Sequence, residues 1–133
     1  MSGELLVALS AKSKNINNEV RYMRTFFYLC PMRIHALKTL KLFWSKYPDS
    51  EIGLKYWFSK IESGKYNTPQ EVIKEFKKSD YVGSERIVFN ISKNKYRLIA
   101  SFNYNYQLCF VKFVGTHKEY DLIDAKTVEF KAN

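Results

Sequence analysis

Between Thr116 and Asp121 the chain reads Thr-His-Lys-Glu-Tyr-Asp, directly after the apolar run Leu-Cys-Phe-Val-Lys-Phe-Val and a glycine. Five consecutive positions therefore carry an imidazole, an ammonium, two carboxylates and a phenol. Imidazole titrates near neutral pH, so His117 can take or give a proton, whereas Tyr120 serves as a hydrogen-bond donor or, if perturbed, as an acid. Cleavage of RNA by its own 2'-hydroxyl needs such groups: a base for the hydroxyl proton, an acid for the leaving 5'-oxygen, and cations for the charge on phosphorus. An architectural reading stands beside the chemical one. Glu119 and Asp121 suit a helix N-terminus, Tyr120 can pack with its hydroxyl at the surface, and His117 can be an ordinary polar residue.

Placing these groups is the task of the flanking elements. Thr116 followed three residues later by Glu119 has the pattern of a capping box, so a helix is expected to start at His117 and run on through Lys-Glu-Tyr-Asp-Leu-Ile-Asp-Ala. His117, Tyr120 and Asp121 then share one helix face. Upstream, residues 86–91, 95–102 and 108–114 alternate as strands joined by short turn-like loops, an antiparallel meander. A two-residue loop at Lys93-Asn94 pairs Asn90 with Arg97 and Phe89 with Leu98, so the apolar faces coincide. A second loop centred on Tyr104-Asn105 pairs Arg97 with Lys112 and Ile99 with Phe110, and sends Cys109, Val111 and Phe113 to the apolar face. In this register Asn90, Arg97 and Lys112 form one row, and two like charges oppose each other, an arrangement that an anion between them would relieve.

The first half is expected to be helical, after a short strand at Met-Arg-Ile-His-Ala-Leu. Lys38–Tyr47 carries Leu40, Phe43, Trp44 and Tyr47 at helical spacing. A second helix over Glu51–Ser63, with Ile52, Trp57, Phe58 and Ile61 inward, is closed by Gly64. Thr68, Pro69 and Glu71 open a third, short helix. Residues 1–31 lack this patterning. They read as an upstream extension, with Met32 the natural start of a folded domain over 32–133.

One domain's worth of sequence, 46% hydrophobic and 17% aromatic, is enough to bury a core and argues against disorder. The formal charge of +9 favours a polyanionic partner, nucleic acid or an acidic protein. Two cysteines and two histidines, scattered, make no zinc spacing, and a metal on His117 and Asp121 would lack a third ligand. No glycine loop for phosphate or dinucleotide is present, so no cofactor is expected. Apolar runs are too short for a membrane span, and with no secretory signal the expected location is cytoplasmic.

Three stretches, Met-Arg-Ile-His-Ala-Leu-Lys-Thr-Leu onward from 32, Arg86–Phe102 and Cys109–Ile123, together resemble the HigB toxins of type II toxin–antitoxin systems, within the RelE-like superfamily. The resemblance spans about residues 32 to 124. It implies an α+β, RelE-like fold: an antiparallel sheet, formed by a short N-terminal strand and the C-terminal meander, with helices packed on one face and a basic concave surface on the other. It implies a metal-independent endoribonuclease that cuts mRNA in the ribosomal decoding site and is held inactive by a helix-turn-helix antitoxin. The motif positions are Asn90, Arg97, Lys112, Thr116, His117, Lys118, Tyr120 and Asp121. By that resemblance Arg97 and Lys112 take the scissile phosphate, and His117 and Tyr120 share proton transfer or nucleotide alignment, with the acid and base roles open. Thr116, Glu119 and Asp121 support the site. Arg86, Asn90, Lys93, Lys95 and Lys118 contact RNA, largely ribosomal phosphates, without sequence preference. Two other readings fit the same residues: an RNA- or ribosome-binding module that does not cut, and a protein-interaction domain whose basic face receives an acidic partner.

Overall fold

A computed structural model describes residues 32–129. The expected extension over 1–31 lies outside them. In chain order the elements are β1 (Arg33–His35), α1 (Leu37–Lys46), a 3-10 turn (Pro48–Ser50), α2 (Glu51–Ser63), α3 (Pro69–Glu75), β2 (Ser79–Gly83), β3 (Arg86–Ile91), β4 (Tyr96–Asn103), β5 (Leu108–Thr116) and α4 (His117–Tyr120). One five-stranded sheet has the order β1-β5-β4-β3-β2. The edge strand β1 runs parallel to β5, and every other pairing is antiparallel. The α+β class expected from the sequence is therefore the one formed. Strand β2 is an addition; its Ser-Asp-Tyr-Val-Gly is short and mostly solvent-facing, which suits an edge but carries little apolar signal.

The core lies between the helices and one face of the sheet. Leu40, Leu54, Trp57, Ile61 and Val72 from the helices meet Ile87, Phe89, Leu98, Ala100, Phe102, Cys109 and Val111 from the strands. Each large side chain buried there contributes about 1.5–3 kcal/mol by leaving water. Phe89 is the hub, with Trp57 and Phe76 edge-on to it at 5.5 and 5.1 Å between ring centroids. Gly53 lets α2 lie close on the end of β3, because a Cβ there would come within 2.8 Å of Ile91 and 2.9 Å of the Ser92 hydroxyl. Ile52, expected inward, is 85% exposed. The inward stripe is Leu54, Trp57 and Ile61, and Ile52 sits about 200° around the helix from Leu54. Helix α3 starts as expected: the Thr68 hydroxyl accepts the Glu71 amide at 3.3 Å, and the Glu71 carboxylate accepts the Asn67 amide at 2.9 Å.

The register of the first hairpin is the expected one, with Phe89 opposite Leu98 and Asn90 opposite Arg97. Its turn places Ser92, Lys93 and Asn94 at positive φ. The second hairpin differs. Arg97 faces Gly115, not Lys112, and Ile99 faces Phe113, not Phe110. Strict alternation fails because β5 bulges: Ile99 pairs with Phe113 but Ala100 pairs with Val111, leaving Lys112 as the extra residue. Cys109 and Val111 point into the core below the bulge and Val114 above it, whereas Phe113 turns to the opposite face and is only partly buried.

Candidate active site

The face of the sheet away from the helices carries the row Asn90, Arg97, Gly115, a more buried row of Val88, Ile99 and Phe113, and the row Arg86, Ser101, Phe110, His35. Among the expected site residues, Asn90 and Arg97 are thus adjacent. Lys112 lies two to three residues further along the strands, roughly 8 Å in strand rise from the Arg97 row. The expected single row of Asn90, Arg97 and Lys112 is not formed.

Helix α4 begins where the Arg97 row ends. Thr116 pairs with Tyr96, and the His117 amide donates to the Lys95 carbonyl at 3.2 Å, which ties the helix to the base of the first hairpin. The capping box forms in full: the Glu119 amide donates to the Thr116 hydroxyl at 3.2 Å, and the Thr116 amide to the Glu119 carboxylate at 2.8 Å. Gly115 makes the room. A Cβ on it would fall 2.6 Å from the Phe113 ring and 2.9 Å from the Glu119 carboxylate. The helix ends after Tyr120, well short of the expected length. It buries none of its residues, and the next bonds tighten to i,i−3, Leu122 to Glu119 and Ile123 to Tyr120.

Within this turn His117 and Asp121 share a face, with Nδ1 3.3 Å from the carboxylate. Arg97 meets the same helix from the sheet. Its guanidinium lies 5.4 Å from the centre of the Tyr120 ring, and one Nη donates to the Asn94 side chain at the hairpin tip. Tyr120 in turn leans on Phe113, 6.5 Å between centroids. Arg97, Tyr120 and His117 therefore form one cluster: a cation held over an aromatic ring, with an exposed imidazole on the same four-residue helix.

Other expected contacts are placed differently. Arg86 is 6% exposed, and the chain's own C-terminal segment consumes it. Nη1 donates to the carbonyls of Val128 and Ala125 at 2.5 and 3.3 Å, and Nη2 reaches the Glu129 carboxylate at 2.6 Å. Arg86, expected at the surface, is thus turned to residues 125–129 of its own chain. The other Glu129 oxygen accepts from Lys112 at 2.9 Å. Lys112 and Arg86 hold the Glu129 carboxyl below the usual carboxylate range. Lys95 is paired with Asp49, which also accepts from the Tyr96 hydroxyl. These two bonds lower the Asp49 carboxyl, and the same carboxylate, aided by burial, pushes the Tyr96 phenol up to about 12. Lys93 and Lys118 are exposed and without an ion pair among the described residues.

Sequence reasoning missed Glu129 and Asp49, whose partners are 17 to 47 residues away, and the exposed stack of His35 on Phe110, 4.9 Å between centroids. Cys109 is fully buried and its thiol is pushed up by burial, so it is no nucleophile. Among the described residues no three His, Cys, Asp or Glu side chains gather as a metal site, and no helix is long and apolar enough to cross a membrane.

Residues 50–123 match the HigB toxin family, a RelE-like toxic component of a toxin–antitoxin system. The chain is 31% identical over 97 residues to the mRNA interferase toxin HigB of Escherichia coli strain K12, covering 71% of this chain and 92% of that protein. The mRNA interferase HigB of Shigella flexneri matches with the same identity and coverage.

Proposed function

Since the chain belongs to the HigB toxin family, as an mRNA interferase toxin with an mRNA target and a cognate antitoxin, we propose that its active site is the Arg97, Tyr120 and His117 cluster at the start of α4. The observation that carries this is the Arg97 guanidinium resting on the Tyr120 ring beside a capped helix that presents His117. In this reading a phosphate taken by Arg97 is served by the two proton-handling groups that the same four-residue helix carries. The 2'-oxygen forms a bond to phosphorus as its proton leaves to a base, and the bond to the 5'-oxygen breaks as that oxygen takes a proton from an acid. The products are a 2',3'-cyclic phosphate and a 5'-hydroxyl. The Arg97 guanidinium supplies the charge stabilisation that a metal ion would otherwise supply, so cleavage is metal-independent. With Nδ1 turned to Asp121, Nε2 is the His117 nitrogen available to RNA.

Cutting takes place on the ribosome, in the decoding site. The exposed Lys93 at the hairpin tip and Lys118 on α4 flank the cluster and suit contact with ribosomal RNA phosphates, with Asn90 beside Arg97 on the message. Lys95 joins them only by giving up Asp49. The antitoxin is of the helix-turn-helix type, and the toxin acts in the cytoplasm.

Expression without antitoxin, with mapping of mRNA 5' ends, tests this reading. Codon-phased cuts are expected, and arrest with intact messages would favour a binder. Arg97→Ala and His117→Ala are each expected to lower cleavage by about 10²–10⁴-fold while the protein stays folded. Full toxicity in both variants would move the site elsewhere.

A further inference from the structure

Away from the Arg97 cluster, one carboxylate is gripped by two cations. We infer that Arg86 and Lys112 form a second phosphate subsite for RNA, which the chain's own Glu129 occupies in the free protein. The inference rests on the RNA-cleaving reading above and extends it to a neighbouring nucleotide.

The geometry is that of a phosphate mimic. One Glu129 oxygen lies 2.6 Å from Arg86 Nη2 and the other 2.9 Å from Lys112 Nζ, as the two free oxygens of a phosphodiester would. The cation side is built. Arg86 is buried on the sheet opposite Ser101, with its second nitrogen fixed by the Val128 and Ala125 carbonyls, and Lys112 is set by the β5 bulge. The anion side is not, for Glu129 remains 62% exposed and can leave into water. A flat surface adjoins the pair: Lys112 Nζ stands 5.9 Å from the centre of the Phe110 ring, and His35 stacks on that ring with an interplanar angle of 14°. Cations beside an exposed aromatic stack are what single-stranded nucleic acid uses, the phosphate on the charges and the base on the ring.

Tethering gives Glu129 a high effective concentration at this position, so RNA must displace it. Displacing a carboxylate releases no salt counterion, whereas filling an empty cation pair does. Binding of a 2'-O-methyl RNA decamer, which cannot be cut, is measured by fluorescence anisotropy from low to moderate salt. Glu129→Gln is expected to tighten binding about fivefold and to steepen the salt dependence by about 0.7 in log K per log salt. Glu62→Gln removes an exposed charge on α2 and is expected to leave the slope unchanged. Adding Lys112→Met to Glu129→Gln is expected to erase the gain.

Unchanged or weaker binding by Glu129→Gln overturns the inference, as does a gain matched by Glu62→Gln or the absence of binding by any variant. An equal gain toward polyglutamate also overturns it, by assigning the pair to carboxylates. No cleavage is read, so an error in the Arg97 and His117 assignment would show in the ribosome reactions and not here.

Discussion

At the scale of single residues, Tyr120 has two separable tasks. Its ring supports Arg97 at 5.4 Å, a contact of about 0.5–1 kcal/mol at an exposed site, and its hydroxyl can donate to a reacting oxygen. Tyr120→Phe keeps the first and removes the second. If the hydroxyl takes part in proton transfer, single-turnover cleavage on ribosomes is expected to fall by about 10²-fold in Tyr120→Phe. Tyr120→Ala is expected to fall a further two- to fivefold or so as Arg97 loses its platform. A wild-type rate for Tyr120→Phe would reduce the residue to a support for Arg97 and leave His117 as the only titratable group of the cluster. The residue types of this site were legible in the sequence because the capping pattern and the i, i+3, i+4 spacing are local. Arg86 was not, since its exposure is decided by carbonyls and a carboxylate 39 to 43 residues later in the chain.

At the scale of elements, the first hairpin could be read because Ile87, Phe89 and Ile91 alternate without interruption into a turn at Lys93-Asn94. The second could not, because one extra residue in β5 satisfies two demands at once. Val114 is wanted in the core, and Lys112 is left free to turn toward Glu129. The adjacent apolar pair Phe113-Val114 was the only local sign of the slip. Helix α4 shows the reverse case, an element held by local bonds with no buried residue. Thr116→Ala removes one half of its capping box, at a cost of about 1 kcal/mol. Because little packing holds the turn, the loss is expected to appear first as faster amide exchange over residues 117–122, with a Tm drop of no more than about 4–8 °C. Cleavage is expected to fall with the population of the ordered turn, and Thr116→Ser to restore it. Unaltered exchange in Thr116→Ala would mean that the sheet contacts, and not the cap, hold the helix.

At the scale of the whole molecule, the sheet divides the labour: one face buries the aromatic and aliphatic core under the helices, and the other carries Arg97, Lys112 and Arg86. A formal charge of +9 over the full chain adds a long-range attraction to RNA that no single residue accounts for. The patterned part of the sequence starts at Met32, and among the described residues that position belongs to the core. Met32 is fully buried in the core, and the Arg33 amide donates to the Gln107 carbonyl at 2.9 Å, closing β1 against the loop before β5. The residues of the proposed site, and the family match over 50–123, all lie downstream. A protein that starts at Met32 is therefore expected to fold with the Tm of the full chain within a few degrees and to arrest growth as strongly when its antitoxin is absent. Met32→Ala in the full chain, by contrast, opens a cavity and is expected to cost about 2–5 kcal/mol. If removal of residues 1–31 itself lowered Tm by more than the Met32→Ala change does, those residues would be an integral part of the fold, and the domain would have to be redrawn to begin at the first residue.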